Sequence, residues 1–499
     1  MTGDSRLRPY LLIMPVVMMI AAVGLSACGE ISDNDKPEPV FSELQSQEAP
    51  SESHEESEST ADPESGEETE EEGDHRYLIC VPAEYISLRE QPDQGGAEIA
   101  QLTAGTVVEW IGDHLNEDET DYFRVKVKDS GMEGYVSADY CVEAGFLYDE
   151  SALDIVHADR AMYTYEDMVE DINALVSKYP DRLSKEIIGT SVDGRDIFAL
   201  VLGNPDAEKH VMLQAGIHGR EYMNSQLAMK MTEYYCAFYD DGLYNGKTYR
   251  DLFGKTAFHV IPMSNPDGVT ISQFGTEKLN NPYLGDFLYS CYEIDRQNLC
   301  YEINTNGDYN WSDHYKDDGF VLAESGNPRE ITFDEYLTIW KANANGVDIN
   351  NNFDAGWADI DLKSWPSYGS YKGDGPVSEP ETAALRDYAQ RLDYECFVSY
   401  HSMGQLIYYD VKGNKDSNSE RSAELSELFK SHIKYATVNT NVAYNVNLGG
   451  FGDWVQLSLD KPSVTIESGK KPCPLEIGEF VSIWNRHRES WAMLADQWD

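Results

Sequence analysis

The segment "HVMLQAGIHGREY" reads as a buried strand that runs into His218-Gly219-Arg220-Glu221 and then into a helical pattern. A histidine and a glutamate three residues apart at such a corner can aim an imidazole and a carboxylate at one point. Catalytic zinc takes three protein ligands and keeps one position open for water, and His, Glu and a distant His form one such set. An H-x-x-E pair alone occurs often by chance. The third ligand should come from another strand end, because sites in open α/β sheets collect there. His401 fits, since "YECFVSYHSMG" reads as a buried strand breaking at His401-Ser402, whereas His210 and His259 lie within strands and read as structural. Glu467 closes the strand "KPSVTIES". An acid there is costly unless used or paired, so Glu467 is either the base that a metal-held water needs or a salt-bridged core residue.

The elements that must position these residues alternate. Tyr163 to Tyr179 reads as an amphipathic helix ended by Pro180. Buried-strand candidates follow in "IFALVLG", "HVMLQAG", "AFHVIPM", "CFVSYHS" and "PSVTIES", with helices expected at Met223–Phe238, Glu379–Leu392 and Ser422–Tyr435. This is the pattern of an α/β domain over 161–499, a mixed sheet flanked by helices. Gln273 to Thr338 lacks regular periodicity, is rich in Asn, Asp and Tyr, and reads as a long insertion. Over 76–143 the strands are short, alternating and punctuated by Gly and Asp, which suggests a small all-β barrel joined to the larger domain by a linker at 144–160.

His218-Gly219-Arg220-Glu221, Asn265-Pro266-Asp267-Gly268, "WKANANGVDINNNFD", "SEPET" from Ser378, "SYHS" and "GGFGDW…TIE" occur in the order seen in zinc carboxypeptidases of the carboxypeptidase A type. The resemblance spans Tyr163 to Trp498, and the 14-residue step from Asp453 to Glu467 is similar to the family's own. It implies one zinc per chain on His218, Glu221 and His401. Glu467 would deprotonate the attacking water and pass the proton to the leaving amine, and Asp348 would orient His218. Lys341 stands where the family places an arginine that polarises the scissile carbonyl, and Arg220 and Asn350 match substrate-binding positions. A tyrosine that closes over substrate is expected near Asn445, and Tyr444 is the nearest. The family's Asn-Arg pair, which grips the substrate's terminal carboxylate, is Asn350-Asn351 here. Arginine offers a charged bidentate fork and asparagine one neutral amide, so selection through a free C-terminus on this pair is not expected. In the small domain, Leu88-Arg89, the Pro92 turn, Leu102-Gly105-Val107, Tyr122-Arg124-Val125-Val127 and Gly134-Tyr135-Val136 resemble the bacterial SH3-type domain. That implies a cell-wall or peptide-binding accessory role, with a spacer that binds nothing as the other reading.

Arg6 and Arg8 precede an apolar run from Leu11 to Leu25, the layout of a secretory signal over 1–28. Leu25-Ser26-Ala27-Cys28 resembles the bacterial lipobox, which implies cleavage before Cys28 and a lipid on its sulfur. An uncleaved anchor is the alternative. The net charge is −51, and Glu30 to Asp74 holds 18 acids against Lys36 alone. The stretch 29–75 therefore reads as a solvated spacer. The rest is acidic too, which argues against nucleic acid or an anionic membrane surface as partner. Of eight cysteines, seven remain once Cys28 is set aside, so at least one thiol stays free in an oxidising compartment. Cys80 with Cys141 and Cys291 with Cys300 are the expected bridges, and Cys236 and Cys396 read as buried core.

The expectation is a monomeric peptidase at the extracellular face of a bacterial membrane, or secreted, that acts on peptide substrates. The tether, the small domain and the WKAN motif point to peptidoglycan stem peptides, as in related γ-D-glutamyl-diamino-acid peptidases. A general extracellular metallocarboxypeptidase and an inactive surface binding protein on a peptidase scaffold are the rival readings.

Overall fold

The computed structural model describes residues 76–115, 121–299, 321–324, 327–330, 332–444 and 448–498. The signal with Cys28, the acidic stretch 29–75 and Cys300 lie outside them. Among the described residues no helix is long and apolar enough to cross a membrane.

The larger sheet has eight strands, ordered Ala436–Asn439, Leu406–Tyr409, Ser463–Glu467, Cys396–His401, Lys209–Ala215, Thr256–Ile261, Asp196–Leu202 and Leu183–Thr190. Its middle four run parallel, and antiparallel pairing flanks them on both sides. Strands buried on both faces need apolar side chains at every position rather than at every second one. Val211, Leu213, Val398, Tyr400, Val464 and Ile466 accordingly enter one core, which they share with Ile172 and Leu175 of the helix Tyr165–Lys178, the helix Met223–Ala237, and Phe429 of the helix Asp416–Ile433. Met212, Ile261 and Phe397 point the other way, against Leu385 and Tyr388 of the helix Pro380–Ala389. All five strand candidates are in this sheet. The helix expected from Ser422 begins at Asp416.

The insertion departs from expectation. It contains a 16-residue helix, Leu284–Leu299, a hairpin of Val321–Glu324 with Asn327–Glu330, and a helix Phe333–Thr338. Leu284, Leu288 and Cys291 pack against Tyr336, Leu337 and Trp340 in a separate core. Their i, i+4, i+7 spacing is helical, but polar and tyrosine neighbours mask it.

Residues 77–143 form a seven-stranded antiparallel sheet whose ends share one core, from Leu102 and Ile86 to Leu78 and Cys141. The segment "EIAQLTAGTVVEWIG" forms two strands, Glu98–Leu102 and Val107–Leu115, separated at Gly105 with φ 88°. This sheet docks on the C-terminal helices: the Val81 carbonyl accepts bonds from Ser482 Oγ (2.8 Å) and Arg486 Nη2 (3.0 Å). The 144–160 segment is anchored rather than loose. Glu489 accepts the Gly145 N–H (3.0 Å), Glu233 accepts the N–H groups of Ile155 (2.7 Å) and Val156 (3.1 Å), and Lys230 donates to the Val156 carbonyl (2.7 Å).

Neither expected bridge is present among the described cysteines, and Cys300, the expected partner of Cys291, lies outside the described residues. Cys80, Cys141 and Cys291 are thiols, and burial pushes Cys291 up to about 12. Cys80 nevertheless stands directly opposite Cys141. Val81 N–H bonds Tyr140 O, and Ala144 N–H bonds Tyr77 O. The cysteines between them are thus a non-hydrogen-bonded pair, where cross-strand side chains come closest. Oxidised protein is expected to carry a Cys80–Cys141 bridge, checked by peptide mapping without reductant. Two free thiols there after exhaustive oxidation would count against it.

Candidate metal centre and active site

The C-terminal ends of the parallel strands meet here. The strand Lys209–Ala215 leads to His218, which opens the tight turn Gly219–Glu221 ahead of the helix Met223–Ala237. The turn is pressed onto its neighbour: a Cβ on Gly219 would lie 2.2 Å from the Gly268 carbonyl oxygen, so no other residue fits. Asn265 explains the Asn-Pro-Asp-Gly motif. Its carbonyl caps the next helix at Gly268 N (2.8 Å), while its amide reaches the carbonyls of Ile217 (3.1 Å), Lys341 (3.2 Å) and Ala342 (3.0 Å). One side chain thus ties the ligand turn to the segment that carries Lys341.

His401 ends the strand Cys396–His401 and lies in register beside Glu467 on the adjacent parallel strand. His218 Nδ1 is 2.9 Å from Glu221 Oε1, and His401 Nδ1 is 3.2 Å from Glu221 Oε2. The candidate ligand atoms of His218, Glu221 and His401 all lie within 4.8 Å of one another. Two imidazole nitrogens and a carboxylate oxygen converging on one point, with Glu467 beside them, are a donor set that suits zinc with an open position. His218 Nε2 is 3.3 Å from Asp348 Oδ1, which fixes the ring with Nδ1 facing the centre. Asp348 is itself held by the N–H groups of Ser370 (2.9 Å) and Asn350 (3.2 Å).

The electrostatics follow from burial and proximity. Burial alone would lower His218, but Glu221 and Asp348 outweigh it and hold the imidazole up at about 9. Burial lowers His401. Burial would raise Glu221, yet His218 and His401 keep it well below the ordinary carboxylate range. Glu467 is pushed up to about 8 by burial and by Glu221, against the opposing charges of His218, Lys341 and Arg220. A carboxyl poised near neutrality can both take and return a proton.

The residues expected to meet substrate divide. The positive charges of Lys341 and Arg220 are near enough to oppose the upward shift of Glu467, and Arg220 Nε is buried without a hydrogen-bond partner. Asn350 and Asn351 are instead occupied within the protein: Asn350 Oδ1 accepts the Phe451 N–H (3.1 Å), and Asn351 Nδ2 donates to the Leu448 carbonyl (2.7 Å). Tyr444 is 51% exposed, with its hydroxyl 3.5 Å from that of Tyr408; Asn445 lies outside the described residues. Sequence reasoning missed Asn224 and Ser402. The Asn224 amide donates to Ser402 Oγ (3.0 Å), and Ser402 N–H donates to Glu221 Oε2 (3.1 Å). Asn224 lies one turn beyond the ligands on a wholly buried helix, and a buried amide there was the available signal.

A family model described as zinc carboxypeptidase matches residues 168–490, and one for the bacterial SH3 domain matches residues 84–141. The chain belongs to the zinc carboxypeptidase family. It is a zinc metallopeptidase with a bacterial SH3 domain ahead of the catalytic unit. This metallopeptidase is similar to the gamma-D-glutamyl-L-diamino acid endopeptidase 1 of Lysinibacillus sphaericus, 26% identical over 325 residues, which cover 64% of this chain and 69% of the relative. It is also similar to the carboxypeptidase B of Astacus astacus, 23% identical over 59% of this chain and 81% of the relative. Among solved structures, a murein-tripeptide amidase from Escherichia coli O157 aligns over 62% of this chain and 91% of its own, with 20% identity and a TM-score of 0.36.

Replacing His401 with alanine is expected to remove zinc and activity together, measured by metal analysis and peptide hydrolysis. Glu467→Gln should keep fold and zinc but lose on the order of 100-fold or more in kcat. Zinc retained in the first variant, or turnover within a few-fold of parent in the second, would contradict the assignments.

Proposed function

We propose that this zinc metallopeptidase cuts peptidoglycan stem peptides while tethered by a lipid on Cys28 to the outer face of a bacterial membrane. His218, Glu221 and His401 would hold the zinc, which when bound would supply Lewis acidity for activating water and polarising a carbonyl. Glu467 takes the proton of the attacking water and returns it to the leaving nitrogen. Asp348 keeps His218 in its ligating tautomer.

The observation that carries the substrate reading is the state of Asn350 and Asn351. Their side chains are bonded to Phe451 and Leu448, and neither is a cation. The terminal carboxylate of an ordinary peptide therefore finds no guanidinium there. A γ-D-glutamyl bond leaves that residue's own α-carboxylate free on the acyl side of the cut, three carbons along from the scissile carbonyl, and the site's cations, Arg220 and Lys341, suit such a group. The relative from Lysinibacillus sphaericus, which is named for cutting such bonds, supports the same reading, as do the SH3 domain and the lipobox-like residues.

Mass spectrometry of products from stem peptides and from a library of plain peptides tests this. Cleavage at the γ-D-glutamyl bond, with little action on the library, is expected. Amidating the substrate's C-terminus should change kcat/KM by less than about threefold, whereas losing a charged hydrogen bond to an arginine clamp costs about 1.5–3 kcal/mol. Efficient trimming of plain peptides that amidation abolishes would instead make this a general carboxypeptidase.

A further inference from the structure

The inserted helix Leu284–Leu299 carries a carboxylate on its core-facing stripe. After Leu284, Leu288 and Cys291, the next position facing inward is Asp295, which is wholly buried. Its Oδ2 accepts Tyr336 Oη (2.8 Å) and Ser367 Oγ (2.5 Å), and its Oδ1 accepts Trp365 Nε1 (2.7 Å). Tyr336 Oη in turn accepts the Tyr368 N–H (3.0 Å), and Lys363 Nζ donates to Ser367 Oγ (3.0 Å). One acid of the insertion therefore binds both the helix that ends it and the segment 363–371.

That segment is the seat of two active-site residues. The Tyr368 carbonyl accepts the N–H groups of Lys341 (2.8 Å) and Ala342 (2.9 Å), and the Tyr371 carbonyl accepts that of Asp348 (2.8 Å). Ser370 N–H donates to Asp348 Oδ2. Between them, a Cβ on Gly369 would sit 3.3 Å from Lys341 Cδ and 3.7 Å from Asp348 Oδ2, so a small shift of the segment reaches both side chains.

We propose that Asp295 is a positioning residue: by fixing Trp365, Ser367 and Tyr336 it holds the segment 363–371 in the place that sets Lys341 and, through Asp348, the His218 ring. The inference rests on the roles given above to Lys341 and Asp348. It assigns the insertion a part in the chemistry without contact with substrate, since every partner of the Asp295 carboxylate named here lies inside the protein.

The test compares Asp295→Ala and Asp295→Asn with Leu288→Ala, which loosens the same core but leaves the carboxylate in place. Zinc affinity is measured by competition with a chelator, and kcat and KM on whichever peptide the parent cleaves, all where each variant is folded. Asp295→Ala should bind zinc about three- to tenfold more weakly, less than the roughly 10–100-fold of removing a direct partner of a ligand. Its kcat should fall on the order of tenfold with KM within about twofold of parent, and Asp295→Asn, which keeps one acceptor oxygen, should fall between. Zinc affinity in Asp295→Ala within twofold of parent, or equal losses in Leu288→Ala, would overturn the proposal. Should Asp295→Ala not fold, Ser367→Ala removes one donor at nearly constant shape and decides the question by the same comparison. A parent that cleaves none of the peptides offered would sink the substrate reading, while the zinc measurements would still decide this one.

Discussion

Glu221 is a carboxylate taken almost wholly out of water and placed between two imidazoles. Moving such a charge from water into protein costs several kcal/mol even after relaxation, and removing one partner of a buried pair typically costs about 3–5 kcal/mol. The fold must therefore bring His218 and His401 to it with little freedom. The sheet does so by ending two neighbouring parallel strands at the same level, so that a corner after one and the last residue of the other face each other. The third strand of the group ends at Glu467, in register with His401. A metal cation at the same point would replace the proton that His218 otherwise needs to balance Glu221 and Asp348, which makes metal and proton competitors there.

Around this pair the supporting contacts come from uncharged N–H groups: the Asn265 side-chain amide donates to the Ile217 carbonyl ahead of the ligand turn, the Ser402 backbone N–H to Glu221 and the Ser370 backbone N–H to Asp348. Uncharged groups are suited to this task because they fix geometry without adding charge beside the ligands. The bacterial SH3 domain is not loosely appended. Arg486, buried, donates to the carbonyls of Val81 and Ile433, and a buried guanidinium with such partners resists displacement of the two surfaces.

The α/β core was legible because strands buried on both faces leave uninterrupted apolar runs, as in "CFVSYH" and "SVTIE". The residues that the metal centre brings together were legible because each sits where such a run stops. The helix Leu284–Leu299 was not, since its stripe is only three apolar residues followed by an aspartate, and the segment 363–371 that the aspartate holds has no periodicity at all. The occupation of Asn350 and Asn351 by the 448–451 segment was invisible for a related reason: it joins residues about a hundred positions apart through a loop that propensity does not describe. Long-range polar contacts of this kind leave the weakest trace in a single sequence.

The most direct measurement of the account is a crystal structure of zinc-loaded protein with anomalous data at the zinc edge. It should show one peak bonded to Nδ1 of His218, Nδ1 of His401 and a Glu221 oxygen at about 2.0–2.2 Å, with Glu467 facing the remaining position. A peak elsewhere, or zinc bound through the Nε2 atoms with Asp348 detached from His218, would contradict it.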